Sequence, residues 1–289
     1  MKTPRGRSVW KSAAIATVAL AIGGARFTAP GLGRVERMYV FSCGEIAVKD
    51  ISHWSPGVNP GQPFEFSNHC YLIRHASGWM LWDSGYSDAV NARPEGVVAP
   101  SGLNVGRMPR TLSSQLAEIG LTPSHITHVA FSHTHGDHIG NANLFDKATL
   151  YIQEPEYAVA FGLDVAKFNF NLALYDNLRR NPTIKLSGDH DVFGDSSVVI
   201  LSTSGHTPGH QSLLVRLPRR GPVILSGDLV HFHDNWTHRR VPAFNYDRER
   251  SVASMQKVAD LLVSQKAELW INHDKAHSAG IPKSPQYIE

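Results

Sequence analysis

Cysteine is scarce: the 289-residue chain holds two, Cys43 and Cys70. Two are too few for a disulfide scaffold or for a zinc site built from cysteines. They could form one bridge in an oxidising compartment, a pairing that sequence leaves open. Long apolar runs are missing too. The most apolar stretch, SAAIATVALAIGGA (12–25), is too short for a comfortable membrane span. Low-complexity tracts, internal repeats and linkers are absent by inspection, so nothing divides the body of the chain.

Net charge is small. The formal value is +3, and residues 1–25 hold four basic residues and no acidic one. Subtracting those four leaves −1, so the basic balance belongs to the start of the chain. That argues against a nucleic-acid partner. Lys2, Arg5, Arg7 and Lys11 precede the apolar stretch, and small residues around Ala25 or Ala29 follow it. This is the layout of a secretory signal peptide. The expected plan is a leader over 1–29 and a single domain over 30–289, periplasmic or secreted, with no stable membrane insertion after processing.

Histidine is plentiful, at sixteen. FSHTHGDHIGN (131–141) packs three of them and an aspartate into six residues. Neighbouring imidazoles repel once protonated, so the cluster needs a partner. In extended backbone, residues two apart point the same way. His133 and His135 can then face one ion, Asp137 continues that direction, and His138 falls where a helix could begin. Two ligand groups in so short a loop suggest two ions side by side. Imidazole and carboxylate suit zinc, and also iron, cobalt or manganese.

Other strand ends offer the missing ligands. MYVFSCG (38–44), CYLIRH (70–75) and GWMLWDSG (78–85) read as strands, and 87–110 as a long loop. TLSSQLAEIG (111–120) and 248–267 read as helices. HITHVAFS (125–132) runs into the histidine cluster. Two further apolar runs end in TSGHTPGH, with His206, and SGDLVHF, with Asp228. ELWINHD (268–274) ends at His273. Alone, each of these would be an ordinary histidine or turn aspartate. Together they complete two sites: His133, His135 and His206; then Asp137, His138 and His273; with Asp228 between. Mixed strands and helices favour an α/β layered domain with the site along one sheet edge.

HTHGDH matches the HxHxDH signature of the metallo-β-lactamase superfamily, and His206, Asp228 and His273 follow in the order of its later motifs. The chain resembles that family from about Met38 to His277. The resemblance implies a four-layer αββα sandwich and two divalent metal ions, most simply Zn2+. LWDSG resembles its early strand motif, where Asp83 would hold a ligand imidazole in the right tautomer.

Within the family, SHTHGDHIGN and SGDLVHF…RRVPAFNYDRERSVASM are most similar to the N-acyl-homoserine lactonases, the quorum-quenching branch. That implies opening of an acyl lactone ring by a hydroxide bridging the metals, with Asp137 shuttling the proton. Many such lactonases carry tyrosine three residues after the bridging aspartate, where this chain has His231. His231 is therefore expected to donate a hydrogen bond to substrate rather than ligate metal. Met108, Phe161, Phe168 and Phe170 are the candidates for an acyl-chain groove. A homodimer is compatible with this plan. An esterase, phosphotriesterase or β-lactamase would run the same chemistry on another substrate. A non-catalytic metal-binding module is opposed by the full set of seven ligands.

N-terminal sequencing of the protein from its native host checks the leader. Mature material is expected to begin near residue 26 or 30; an intact Met1 start in a cytosolic fraction contradicts export.

Overall fold

The computed structural model describes residues 1–2 and 34–289. The expected leader and its cleavage sites lie outside the described residues. All the elements fall in the unit Gly33–Glu289. Among the described residues no helix is long and apolar enough to cross a membrane.

Two sheets form the centre. The larger runs Val97–Val98, Asn104–Arg107, Val35–Val48, Phe64–His75, Gly78–Trp82, His128–Ala130, Thr149–Gln153 and Thr183–Leu186, with Tyr287–Ile288 added against Val35–Val48. The smaller runs Glu268–Trp270, Gly221–Leu225, Gln211–Leu217, Val198–Ser202 and His190–Asp191.

Alternation along the strands builds four layers, because successive side chains leave opposite faces. Met38, Val40, Tyr71, Ile73, Met80 and Trp82 of the large sheet meet Val198, Ile200, Leu213, Val215, Val223 and Leu225 of the small one. The intervening residues Phe41, Cys43, Cys70, Leu72 and Leu81 face outward, onto Leu112 and Leu116 of the helix Leu112–Glu118. On the other side Leu201, Leu214 and Ile224 face Met255 and Val258 of the helix Arg248–Gln265. Ser251, Ser254, Met255 and Val258 are that helix's buried residues, at the i, i+3, i+4, i+7 spacing of one face. Asp247 caps its start, accepting from the Arg250 N–H, and Lys266 ends it in the left-handed conformation. The layers are those of an αββα sandwich, as expected.

Strand direction puts the chemistry on one edge. Gly78–Trp82 is parallel to His128–Ala130, and Gly221–Leu225 to Glu268–Trp270. Val198–Ser202 and Gly221–Leu225 both pair antiparallel with Gln211–Leu217, so they run the same way. The loops after these strands carry Asp83, His133, His206, Asp228 and His273.

The stretch read as one long loop over 87–110 is more ordered than that. Asp88–Ala92 makes a 3-10 turn, and Asn104–Arg107 pairs with Glu45–Val48 of the long strand. NVGR lacks alternation and holds a glycine, so it gives no strand signal; its partner's backbone imposes the conformation.

Cys43 and Cys70 are bonded, with Cα atoms 5.8 Å apart on adjacent strands. The bridge closes a loop of 27 residues' separation. Constraining the unfolded chain over such a loop is worth about 3 kcal/mol. Denaturant titration of a Cys43→Ala, Cys70→Ala variant under non-reducing conditions is expected to show a loss of about that size. Equal stability with the parent contradicts it.

Candidate metal centre

Two clusters of ligand atoms lie side by side: His133, His135, His206 and Asp228, then Asp137, His138 and His273. This is the grouping expected from the sequence, with Asp228 between them. Its Oδ2 lies 3.3 Å from His206 Nε2 and 3.8 Å from His133 Nε2. Its Oδ1 lies 2.9 Å from His273 Nε2 and 3.2 Å from His138 Nε2. One carboxylate oxygen thus serves each cluster. Asp137, on the helix Gly136–Ile139, is half-exposed and approaches His138 and His273 at 3.6 and 3.8 Å.

The outer ring nitrogens decide what the inner ones can do. His138 Nδ1 is 3.0 Å from Asp83 Oδ2, His206 Nδ1 is 2.9 Å from Asn245 Oδ1, and His273 Nδ1 is 2.8 Å from the Ser67 carbonyl. Each partner only accepts, so each Nδ1 keeps its hydrogen and donates. In its neutral form each of these rings turns a bare Nε2 lone pair inward. His133 Nδ1 lies 3.1 Å from Ser132 Oγ, which itself donates to Asp83. His135 is reversed: its Nδ1 faces inward, 2.7 Å from His133 Nε2 and 3.1 Å from His206 Nε2, while the Phe168 backbone takes a hydrogen bond from the ring.

Such converging lone pairs repel unless something positive lies among them. Four nitrogens at 2.0–2.1 Å around a tetrahedral ion sit about 3.3 Å from one another. His138 Nε2 and His273 Nε2 are 3.3 Å apart. That spacing suits a cation in the second cluster, the donor set suits one in each, and the fold includes a group that could bind metal.

The electrostatics divide the rings: His133 and His206 are held neutral, whereas burial opposes charge on His273 but Asp228 outweighs it and raises that ring, as happens at His138. Burial, with neighbouring imidazoles, drives His133 and His206 well below the usual range. Burial also opposes charge on His138, but Asp228, Asp137 and Asp83 outweigh it and raise that ring. Burial would raise the Asp228 carboxyl, yet His273, His138 and His231 hold it well below the usual range.

Several residues needed by the site carry no role in the sequence reading. His210 Nε2 accepts the Asp228 N–H at 2.9 Å, and Thr203 fixes its other nitrogen. Its signal was position, as the second histidine of TSGHTPGH. Gly227, just before Asp228, has φ +54°, and a Cβ there would meet Ser132 Cβ at 2.5 Å and His210 Nε2 at 2.8 Å. Only glycine fits. The buried Glu156 carboxylate accepts from Thr134 N–H, Thr207 Oγ1 and Gly209 N–H at 2.7–2.9 Å. It ties the His133–His135 loop to the His206 loop, and nothing in EPEY advertises that. Asp83, by contrast, was singled out in the sequence; it has φ +58° and takes the Ser132 N–H at 2.6 Å besides facing His138 Nδ1.

A cavity of about 620 Å³ opens on the clusters. Of the four groove candidates, Phe168 alone lines it. Met108 is buried in the outer core, Phe161 packs on Tyr157 and Tyr175, and Phe170 packs edge-on against His135. The apolar wall is instead Ile46, Trp54, Phe66, Leu103 and Phe244 with Phe168. These come from distant segments that only the fold brings together. His231 also lines the cavity and is buried. Its Nε2 is 3.1 Å from Asp228 Oδ2, and its ring stacks on His273 with centroids 5.5 Å apart.

A sequence profile of the metallo-beta-lactamase superfamily matches residues 63–264. The N-acyl homoserine lactonase AttM of Azorhizobium caulinodans is 29% identical over 264 residues, spanning 88% of this chain and 98% of that protein. An N-acyl homoserine lactonase of a Bacillus species is 28% identical over 262 residues, 88% and 99% of the two chains. Among solved structures, an N-acyl homoserine lactone hydrolase with the product N-hexanoyl-L-homoserine bound at its catalytic metal centre superposes with a TM-score of 0.77. It is 25% identical and covers 88% of this chain and all of that one.

Protein purified without chelators is expected to carry about two divalent ions per chain by elemental analysis. Asp83→Ala should weaken their retention roughly 10- to 100-fold, because the His138 and His133 rings lose their anchor. Competition with a chromogenic chelator measures this; unchanged affinity means Asp83 is a turn residue and no more.

Proposed function

The chain belongs to the metallo-β-lactamase superfamily, and from that membership we propose that it opens the lactone ring of N-acyl-homoserine lactones by metal-dependent hydrolysis. The observation that carries this reading is the seven-ligand cage at the base of a largely apolar cavity, in a chain whose relatives are lactonases along nearly their whole length. Neutral imidazoles with carboxylates suit zinc, among other divalent ions, and we assign two Zn2+ as the simplest choice. His133, His135 and His206 would hold one, Asp137, His138 and His273 the other, and Asp228 both. When bound, the pair supplies Lewis acidity to the substrate oxygens and lowers the pKa of water at the site.

Hydrolysis adds water across the acyl C–O bond: oxygen joins the carbonyl carbon, the ring oxygen leaves, and one proton moves from the water to it. Asp137 is the proposed carrier, accepting at a carboxylate oxygen and delivering to the ring oxygen. Its place on the cavity wall and its partial exposure support this. His231 is proposed as a donor to substrate. It lines the same cavity, and its Nε2 is poised at the carboxylate oxygen a cation would share. Ile46, Trp54, Phe66 and Phe244 would shelter the acyl chain, at about 0.8 kcal/mol for each methylene removed from water. A periplasmic or secreted location is proposed as well. The basic then apolar start of the chain supports it, as does a disulfide, a bond that persists in oxidising compartments.

Initial rates across acyl-homoserine lactones, aryl esters, phosphotriesters and β-lactams test the reading. The lactones are expected to have the highest kcat/KM; a marked preference for another class overturns the substrate assignment. His231→Ala should lower lactone turnover roughly ten- to thousandfold at unchanged ion content, with partial recovery in His231→Tyr. Loss of an ion from the Ala variant would make His231 a ligand.

A further inference from the structure

Tyr86 lies just beyond the Asp83 turn and lines the cavity together with Asp137, Asp228 and His231. Its ring occupies a slot made by two glycines. A Cβ on Gly44 would lie 2.6 Å from Tyr86 Cδ2, and one on Gly106 would lie 2.2 Å from Cζ and 2.4 Å from the hydroxyl. Gly106 pairs with Ile46, and Gly44 is two residues from Ile46. The two glycines therefore share one face of adjacent strands, and the phenol ring stands where their side chains would have been. Any larger residue at either place would evict it.

The backbone of Tyr86 is tied at both ends. Its N–H donates to the Cys43 carbonyl at 3.1 Å, and its carbonyl accepts from Asn141 Nδ2 at 2.7 Å. Asn141 also holds the Ser84 carbonyl at 2.8 Å. These bonds fix where the ring starts and the glycines fix where it lies. Among the described residues none of them engages the hydroxyl, which sits within electrostatic reach of Asp137 and Asp228. A phenol held this firmly, with its one polar atom uncommitted in a residue that lines the same cavity as Asp137 and Asp228, has the form of a preorganised donor.

Resting on the lactonase reading, we propose that Tyr86 is a catalytic hydrogen-bond donor to a substrate oxygen that gains negative charge during ring opening. Ring opening charges two oxygens in turn, the carbonyl oxygen and the departing ring oxygen. His231 approaches the centre from the small sheet, after Gly221–Leu225, and Tyr86 from the large sheet, after Gly78–Trp82. A neutral imidazole has one proton to give, and His231 Nε2 already lies against Asp228. Tyr86 would supply the second donor, a phenol, in a chain that has no tyrosine at position 231. No proton is transferred by Tyr86; it donates a hydrogen bond that strengthens as charge develops.

The test is Tyr86→Phe in the metal-loaded enzyme, which keeps the ring in its slot and removes only the hydroxyl. The expected result is a kcat for lactone lowered roughly ten- to thousandfold. KM, ion content and Tm should stay at parental values. Parental kcat, a loss confined to KM, or a loss of ions would each overturn the role, since a donor to developing charge acts on kcat. The parent's own rate separates this from the broader reading. If the parent opens lactones and Tyr86→Phe matches it, the inference fails alone. If the parent opens none, the proposed function fails and this inference with it.

Discussion

The structure turns on bare imidazole lone pairs forced together around one carboxylate. Three rings give their outer hydrogens to groups that can only accept: Asp83, Asn245 and the Ser67 carbonyl. In the neutral rings that leaves the inner nitrogens without hydrogens, aimed at one another and at Asp228. Folding thereby concentrates repulsion that a cation relieves. The hydrophobic cores on both faces of each sheet are what make the crowding affordable. The inward nitrogens cannot relax without dislodging outer partners, of which Ser67 lies in the strand Phe64–His75, Asp83 directly follows Gly78–Trp82 and Asn245 directly precedes the helix Arg248–Gln265.

Asp228 is the place where the two sheets meet chemically. It follows Gly221–Leu225 of the small sheet, and its two oxygens address one ligand group each. Its backbone is fixed by His210, and Gly227 lets it come within contact of Ser132 beneath the large-sheet cluster. Glu156 performs a similar joining role with neutral donors, binding the His133–His135 loop to the His206 loop. Long-range bonds of this kind set how far apart the two clusters stand.

How much of this was legible in the sequence follows from the range of each interaction. His133, His135, Asp137 and His138 lie within six residues, so their period and chemistry speak directly. His206, Asp228 and His273 were readable because each ends an apolar strand, and strand ends collect on one edge. The layered fold followed from the same alternation. The cavity wall was not legible. Phe161, Phe170 and Met108 are aromatic or apolar and near the cluster in sequence, yet they fill the outer core. Trp54, Phe66 and Phe244, from three remote segments, line the space instead. The bond between Cys43 and Cys70 was open for the same reason, since the pairing of their strands decides it. Glu156, His210 and the glycines behind Tyr86 act through tertiary contacts that leave no local pattern.

The most direct test of the account is a zinc titration of chelator-stripped protein, following lactone ring opening at each addition. Two interlocked sites sharing Asp228 predict that activity is absent in the stripped protein and reaches its plateau at about two equivalents per chain. Full activity at one equivalent, or in the stripped protein, would contradict it.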